Sequence, residues 1–166
     1  MTFQRILIFF MLLLSPLLPA QATTAPISDA AALQGVKDGK GVFLIDFSDA
    51  KKTAFYLEII KGTHAGLTRQ GVKPSFVIVY IGPTVRFLTT APDGELELEQ
   101  GDALRAIADR VKELDQLGVR QEICAIATKV FKVPNETVLP GLTLVGDGFI
   151  SLIGWQAQGY KLIPLF

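Results

Sequence analysis

The chain has 166 residues, of which 49% are hydrophobic and 19% charged, and its sixteen basic side chains balance its sixteen acidic ones. A balanced charge offers no electrostatic footprint for nucleic acid or for an anionic membrane surface, so neither is predicted as a partner. The length suits one domain. One cysteine and one histidine exclude an internal disulfide and the usual zinc sites, and we predict no metal and no cofactor.

The first 22 residues have the three-part layout of a secretory signal peptide. Arg5 precedes the continuously apolar run Ile6–Leu14, and Ala20-Gln21-Ala22 places small residues at alternate positions. The run is shorter than the roughly 20 apolar residues of an uncleaved anchor. We predict a signal peptide over 1–22, a mature chain that begins at Thr23 and is free of the membrane, and a periplasmic or secreted location. A buried first helix is the alternative.

An N-terminal arm is predicted over 23–41, with one or two helical turns at Ala30–Val36, and an α/β domain over 42–166. The first strand is Val42–Phe47, a nearly all-apolar run typical of strands covered on both faces. Ser48 or Asp49 can cap the helix that follows, which extends through Thr68 and stops at Gly71.

The second strand, Phe76–Ile81, is again apolar and ends in the turn Gly82-Pro83, which leads into a short helix at Thr84–Thr89. The polar stretch Ala91–Gly101 is predicted as a surface excursion.

Asp102 is then placed to cap a helix whose apolar residues recur every three or four positions until Gly118. The remaining elements are a strand at Val119–Cys124, a helix at Ala125–Lys132, a strand at Leu142–Val145, a helix at Phe149–Gln158 capped by Asp147, and a strand at Tyr160–Ile163.

This alternation predicts a single three-layer α/β/α domain with a mainly parallel five-stranded sheet. Reactive groups gather at the carboxyl ends of such strands. The residues predicted at those ends are Asp46, Ser48, Asp49, Gly82-Pro83-Thr84, Cys124 and Gly146-Asp147-Gly148.

Cys124 is the candidate catalytic residue. An unpaired cysteine in an exported protein is buried and inert, paired between chains, or a working thiol. Between a strand and a helix N-terminus, free N–H groups and the helix dipole favour thiolate, with further help from Lys129 and Lys132 if they fold back. A thiolate attacks persulfides and disulfides. The alternative is a small apolar side chain that fills the core.

The other candidate residues have simpler explanations. Asp46 and Asp49 are explained by capping and solvation, and His64 by surface exposure or packing. Trp155 and Tyr160 are predicted to lie in the core or at a subunit contact. The chain has no G-x-G-x-x-G and no Walker A pattern, which makes a nucleotide ligand improbable.

Four segments together resemble the DsrE/DsrF-like family of sulfur-relay proteins over about Val42 to Pro164. They are Val79–Leu88, Leu114–Val119 continuing into Glu122-Ile123-Cys124, Leu139–Val145 and Trp155–Tyr160. The resemblance implies an α/β/α domain that assembles as trimers or hexamers. It also implies that a cysteine near a strand end carries a persulfide, and Cys124 matches that place. Many exported relatives have His before the Gly-Pro turn, where this chain has Ile81.

Two functions follow as hypotheses. The first is an exported carrier of persulfide sulfur or thiol groups that uses Cys124 and exchanges sulfur with a donor or acceptor protein. The alternative is a non-catalytic oligomeric module that binds a ligand or partner. Apolar residues crowded near the C-terminus also predict a homo-oligomer; they are Trp155, Leu162, Ile163, Leu165 and Phe166.

Overall fold

A computed structural model describes residues 27–165. The predicted signal peptide and Phe166 lie outside the described residues. Within 27–165, none of the helices combines the length and the apolar character needed to cross a bilayer.

Strands and helices alternate along the described chain. Their order is β1 (Asp38–Ile45), α1 (Ala50–Arg69), β2 (Lys73–Tyr80), α2 (Gly94–Gln116), β3 (Arg120–Cys124), α3 (Ala125–Val130), β4 (Thr143–Val145), α4 (Gly148–Ala157) and β5 (Lys161–Pro164), with short 3-10 helices at Gly82–Phe87 and Asn135–Thr137. All strand pairs are parallel, in the spatial order β4-β3-β2-β1-β5. The predicted α/β class and five-stranded sheet are confirmed.

The order of the strands determines which helices share a face of the sheet. From β1 to β4 the chain advances across the sheet in one direction, and it then returns to β5 at the opposite edge. Right-handed crossovers therefore place α4 on the face opposite α1 and α2. Two adjacent β3 side chains agree: Gln121 hydrogen-bonds a carbonyl of α2, and Glu122 hydrogen-bonds side chains of α4.

Two consecutive buried hydrogen bonds lie on the face of the sheet that α1 and α2 cover. The Tyr80 hydroxyl donates to Gln121 Oε1 at 2.8 Å, and Gln121 Nε2 donates to the Val111 carbonyl at 2.8 Å. Burial raises the pKa of Tyr80, so its hydroxyl stays protonated and remains a donor. These contacts join β2, β3 and α2 without an unpaired polar group.

The predicted excursion at Ala91–Gly101 is wrong, because most of this stretch forms the first turns of α2. Asp93 caps the helix, accepting from the Glu95 N–H at 3.1 Å. The helix kinks at Gln100, where φ is −130°, and Asp102 lies just past the kink instead of capping a new helix. Leu96 is buried and extends the apolar face of α2 towards the N-terminus of the helix. The alternation of Glu and Leu in this stretch hid the helical spacing in the sequence.

Strand β1 begins at Asp38, inside the segment predicted as an arm. Gly39 and Gly41 lie within this strand. A Cβ on Gly39 would lie 2.7 Å from Leu67 Cδ1, and one on Gly41 would lie 3.1 Å from Ile163 Cδ1. Because these glycines have no side chain, Leu67 and Ile163 pack directly against the backbone of β1. In the sequence alone, two such glycines look like residues that end a strand or helix.

Candidate functional site

Cys124 ends β3 and is the residue before the first turn of α3, as the sequence predicted. Its side chain is 5% exposed. The predicted source of its hydrogen bond is wrong, since α3 makes no capping bond to this side chain. The Gly148 N–H, at the start of α4, donates to Cys124 Sγ at 3.3 Å. The positive end of the α4 dipole therefore faces the sulfur.

The approach of α4 to Cys124 requires a glycine at position 148. A Cβ there would lie 2.6 Å from Ile81 Cγ2 and 3.3 Å from Cys124 Cβ. Asp147 caps the helix as predicted, accepting from the Phe149 N–H at 2.8 Å. The Gly146-Asp147-Gly148 turn thus supplies both the helix start and the backbone donor to the thiol.

A cavity of about 260 Å³ opens beside Cys124. Besides Cys124 its lining residues are Asp46, Ile81, Gly82, Ile126, Ala127, Val130, Phe131, Asp147 and Phe149. Neither Lys129 nor Lys132 is among them, so the charged groups that the described part of the chain brings to this cavity are carboxylates. A larger cleft of about 600 Å³ follows the kink in α2, and its lining includes neither a thiol nor an imidazole.

Asp46 reaches the cavity from the end of β1. A Cβ on Gly82 would collide with the Asp46 carboxylate, and Gly82 has a φ of +56°, so the conformation of the turn after β2 requires glycine. Asp49 has the capping role that the sequence predicted, accepting from the Lys52 N–H at 2.9 Å. Asp46 therefore lines the cavity, whereas Asp49 caps α1.

Glu122 is a feature of the site that sequence reasoning missed. It lies two residues before Cys124 on the same face of β3, and its side chain is 3% exposed. The carboxylate accepts from Arg120 Nε at 2.6 Å, from Trp155 Nε1 at 3.1 Å and from the Ser151 hydroxyl. These bonds fasten α4 to β3 and so hold Gly148 against the thiol. The sequence did offer one indication of this role, because Glu122 is a charged residue within a strand that is otherwise mostly buried.

The hydrogen bonds also determine the ionisation of Glu122. Burial acts to raise the pKa of this carboxyl, but the donors from Arg120, Ser151 and Trp155 outweigh burial and lower the pKa below its usual range. A carboxyl whose folded pKa is lowered stabilises the fold above its unfolded pKa of about 4.3, and that stabilisation is lost as the pH falls through the folded value.

Glu122→Gln is therefore expected to cost about 1–3 kcal/mol of unfolding free energy near pH 7. Because glutamine carries no charge, the difference from the wild type should be smaller at pH 3 than at pH 7, as the pH falls towards the lowered folded pKa of the wild-type carboxyl. Urea denaturation at both pH values measures this. An equal difference at the two pH values would contradict the role of the ionised carboxylate.

The remaining candidates lie away from the thiol or serve packing. His64 packs edge-to-face on Phe76, with 5.8 Å between ring centroids, and its partial burial lowers its pKa. The predicted packing role is confirmed. Trp155 stacks edge-on against Tyr160 at 5.0 Å while bonding Glu122, which confirms that it packs within the fold.

The chain matches the model of one known protein family. The family model described as "DsrE/DsrF-like family" matches residues 40–165, which is most of the chain. This chain belongs to the DsrE/DsrF-like family. The Ile81 side chain, at the place where the resemblance expects histidine in many exported relatives, lines the cavity beside Cys124.

Two solved structures share the fold of this DsrE/DsrF-like protein. The protein of unknown function MTH1491 from Methanobacterium thermoautotrophicum is 18% identical, with a TM-score of 0.59 over 78% of this chain and 99% of that one. The ychN protein from E. coli is 12% identical, with a TM-score of 0.52 and coverage of 78% and 99%. No curated protein matches significantly. At these identities the similarity establishes the fold alone.

Proposed function

We propose that this DsrE/DsrF-like protein is an exported sulfur carrier that holds a sulfane sulfur atom on Cys124. The observation that supports this most directly is the hydrogen bond from the Gly148 N–H to a thiol that lines a cavity at the carboxyl edge of the sheet. Membership of a family that includes sulfur-relay proteins supports the same role.

The transfer step follows ordinary thiol exchange. The Cys124 thiolate attacks the outer sulfur of a donor persulfide R–S–SH, and a new S–S bond forms on Sγ as the donor S–S bond breaks. The bonding electron pair leaves with the donor sulfur as R–S⁻, while the proton stays on the transferred sulfur. The products are the Cys124 persulfide and the donor thiolate, with no net oxidation. The reverse reaction delivers the sulfur to an acceptor thiolate.

The surroundings of Cys124 suit this exchange. The backbone N–H of Gly148 donates to Sγ and stabilises the negative charge that the sulfur carries as the attacking nucleophile. The apolar walls built from Ile81, Val130 and Phe149 shield a bound persulfide from water.

The carrier is proposed to work outside the cytoplasm as a homo-oligomer. The export signal at 1–22 supports a periplasmic or secreted location, in which sulfur is exchanged with other exported proteins. The assembly is a homo-oligomer, a trimer or hexamer by family resemblance, and its contact is the outer face of α4. This face is formed by Phe149, Ile150 and Ile153, which are exposed.

The native thiol should react with a neutral disulfide reagent. We expect the rate for the folded protein at neutral pH to be within about tenfold of the rate for the same chain in urea, because the cavity gives the reagent access to Sγ. Cys124→Ser is the blank. The low exposure of Cys124 supports the alternative of an inert core thiol in a binding module. A folded-state rate that is negligible until unfolding would establish that alternative and reject the carrier.

A further inference from the structure

We infer that the cavity beside Cys124 accepts uncharged or cationic persulfides and repels anionic sulfur donors, with Asp46 and Asp147 as the residues that set this preference. The inference rests on the proposed function, since it specifies which compounds exchange sulfur with Cys124.

The charged residues that line the cavity are acidic. They are Asp46 and Asp147, and the rest of the lining is apolar apart from the thiol and Gly82. Among residues 27–165, no lysine or arginine lines the cavity to compensate them. Arg120, which lies on the strand of Cys124, is already paired with Glu122. An incoming anion would therefore approach two carboxylates with no cation to meet it.

The helix dipole does not reverse this preference. The N-terminus of α4 contributes a positive charge of about half a unit, directed at Sγ. The Asp147 carboxylate, which caps the same helix end, offsets that partial charge. Apolar walls lower the local dielectric and strengthen the remaining repulsion.

The size of the cavity limits the occupant further. At about 260 Å³ it is smaller than the roughly 300–1,000 Å³ of sites that enclose drug-sized ligands. It fits a group of side-chain size. The class of substrate is therefore a small apolar persulfide group, neutral or carrying an ammonium group, whether free or on a partner protein. Multiply charged inorganic sulfur anions fall outside this class.

Competing alkylation by iodoacetamide, which is neutral, and iodoacetate, which is anionic, tests the preference. The ratio of the two rates is measured for the native protein and again in urea, so that the unfolded chain corrects for the intrinsic reactivity of each reagent. We expect the native ratio to exceed the unfolded ratio by about fivefold or more, and to fall in about 1 M salt, where the Debye length is ~3 Å.

Two isosteric variants identify the source of the preference. Asp46→Asn and Asp147→Asn should each lower the native ratio by about twofold to threefold, and asparagine at 147 can still cap α4. Asp109→Asn on the exposed side of α2 makes the same change of net charge at a residue that does not line the cavity, and should leave the ratio unchanged.

Each outcome has a distinct meaning. Equal ratios in the native and unfolded states, or a high native ratio that neither cavity variant lowers, would overturn the preference while leaving Cys124 a reactive carrier. Failure of both reagents to modify the native protein would reject the proposed function itself and this inference with it.

Discussion

Replacing Ile153 with aspartate is expected to convert the proposed homo-oligomer to monomers. Ile153, Ile150 and Phe149 are 67%, 68% and 61% exposed on α4. No charged residue occurs between Gly148 and Ala157, so this helix is apolar on its outer side as well as its inner side. Helices that are apolar on all sides are normally buried. We propose that a second copy of this chain packs against the exposed side of α4.

Burying an unpaired aspartate would cost more free energy than the apolar contact contributes, so the subunits should dissociate. Light scattering at micromolar concentration measures the mass. Leu98→Asp is the matched control, because Leu98 is 88% exposed on α2 and should tolerate the charge without change of mass. A wild-type protein that is already monomeric, or an Ile153→Asp variant of unchanged mass, would contradict the α4 interface.

Replacing Gly148 with alanine is expected to destabilise the fold by about 1–3 kcal/mol and to change the reactivity of Cys124. The added methyl group would lie 2.6 Å from Ile81 Cγ2, so the start of α4 must move away from the sheet. That movement lengthens the Gly148 N–H to Sγ hydrogen bond and opens the cavity. Urea denaturation measures the stability, and alkylation of the folded protein measures the thiol.

Gly154→Ala is the control within the same helix. A Cβ at Gly154 meets nothing within 4 Å, so alanine there should stabilise α4 by up to about 1 kcal/mol through helix propensity alone. If both variants behaved alike, the close approach of α4 to Cys124 would be refuted.

The position of Cys124 could be predicted from sequence because it depends on local patterns. A buried strand followed by a helix places its last residue at the carboxyl edge, whatever the rest of the chain does. The same reasoning located the Asp147 cap and the turn at Gly82.

The hydrogen bond to Cys124 could not be predicted, because it joins residues 24 positions apart. It depends on α4 returning across the sheet towards β5, and no local pattern specifies where that helix crosses β3. Glu122 was missed for the same reason, since its partners Ser151 and Trp155 belong to the returning helix.

The apolar surface near the C-terminus was predicted in part, since Leu162 and Ile163 are 40% and 37% exposed, but its most exposed residues were not named. Trp155 is turned inward by its bond to Glu122, whereas the more exposed residues Ile150 and Ile153 were not singled out. Apolar composition located the region, and the rotation of α4 about its axis determined which side chains face outward.

The most direct test of sulfur carriage is the mass of the intact protein after incubation with a small neutral persulfide. We predict that the folded protein gains one sulfur atom, that a low-molecular-weight thiol removes it, and that Cys124→Ser gains none, because the transferred sulfur must reside on Sγ. A folded wild-type protein that gains no sulfur, although the same chain does so in urea, would show that Cys124 is a packing residue and would contradict the carrier function.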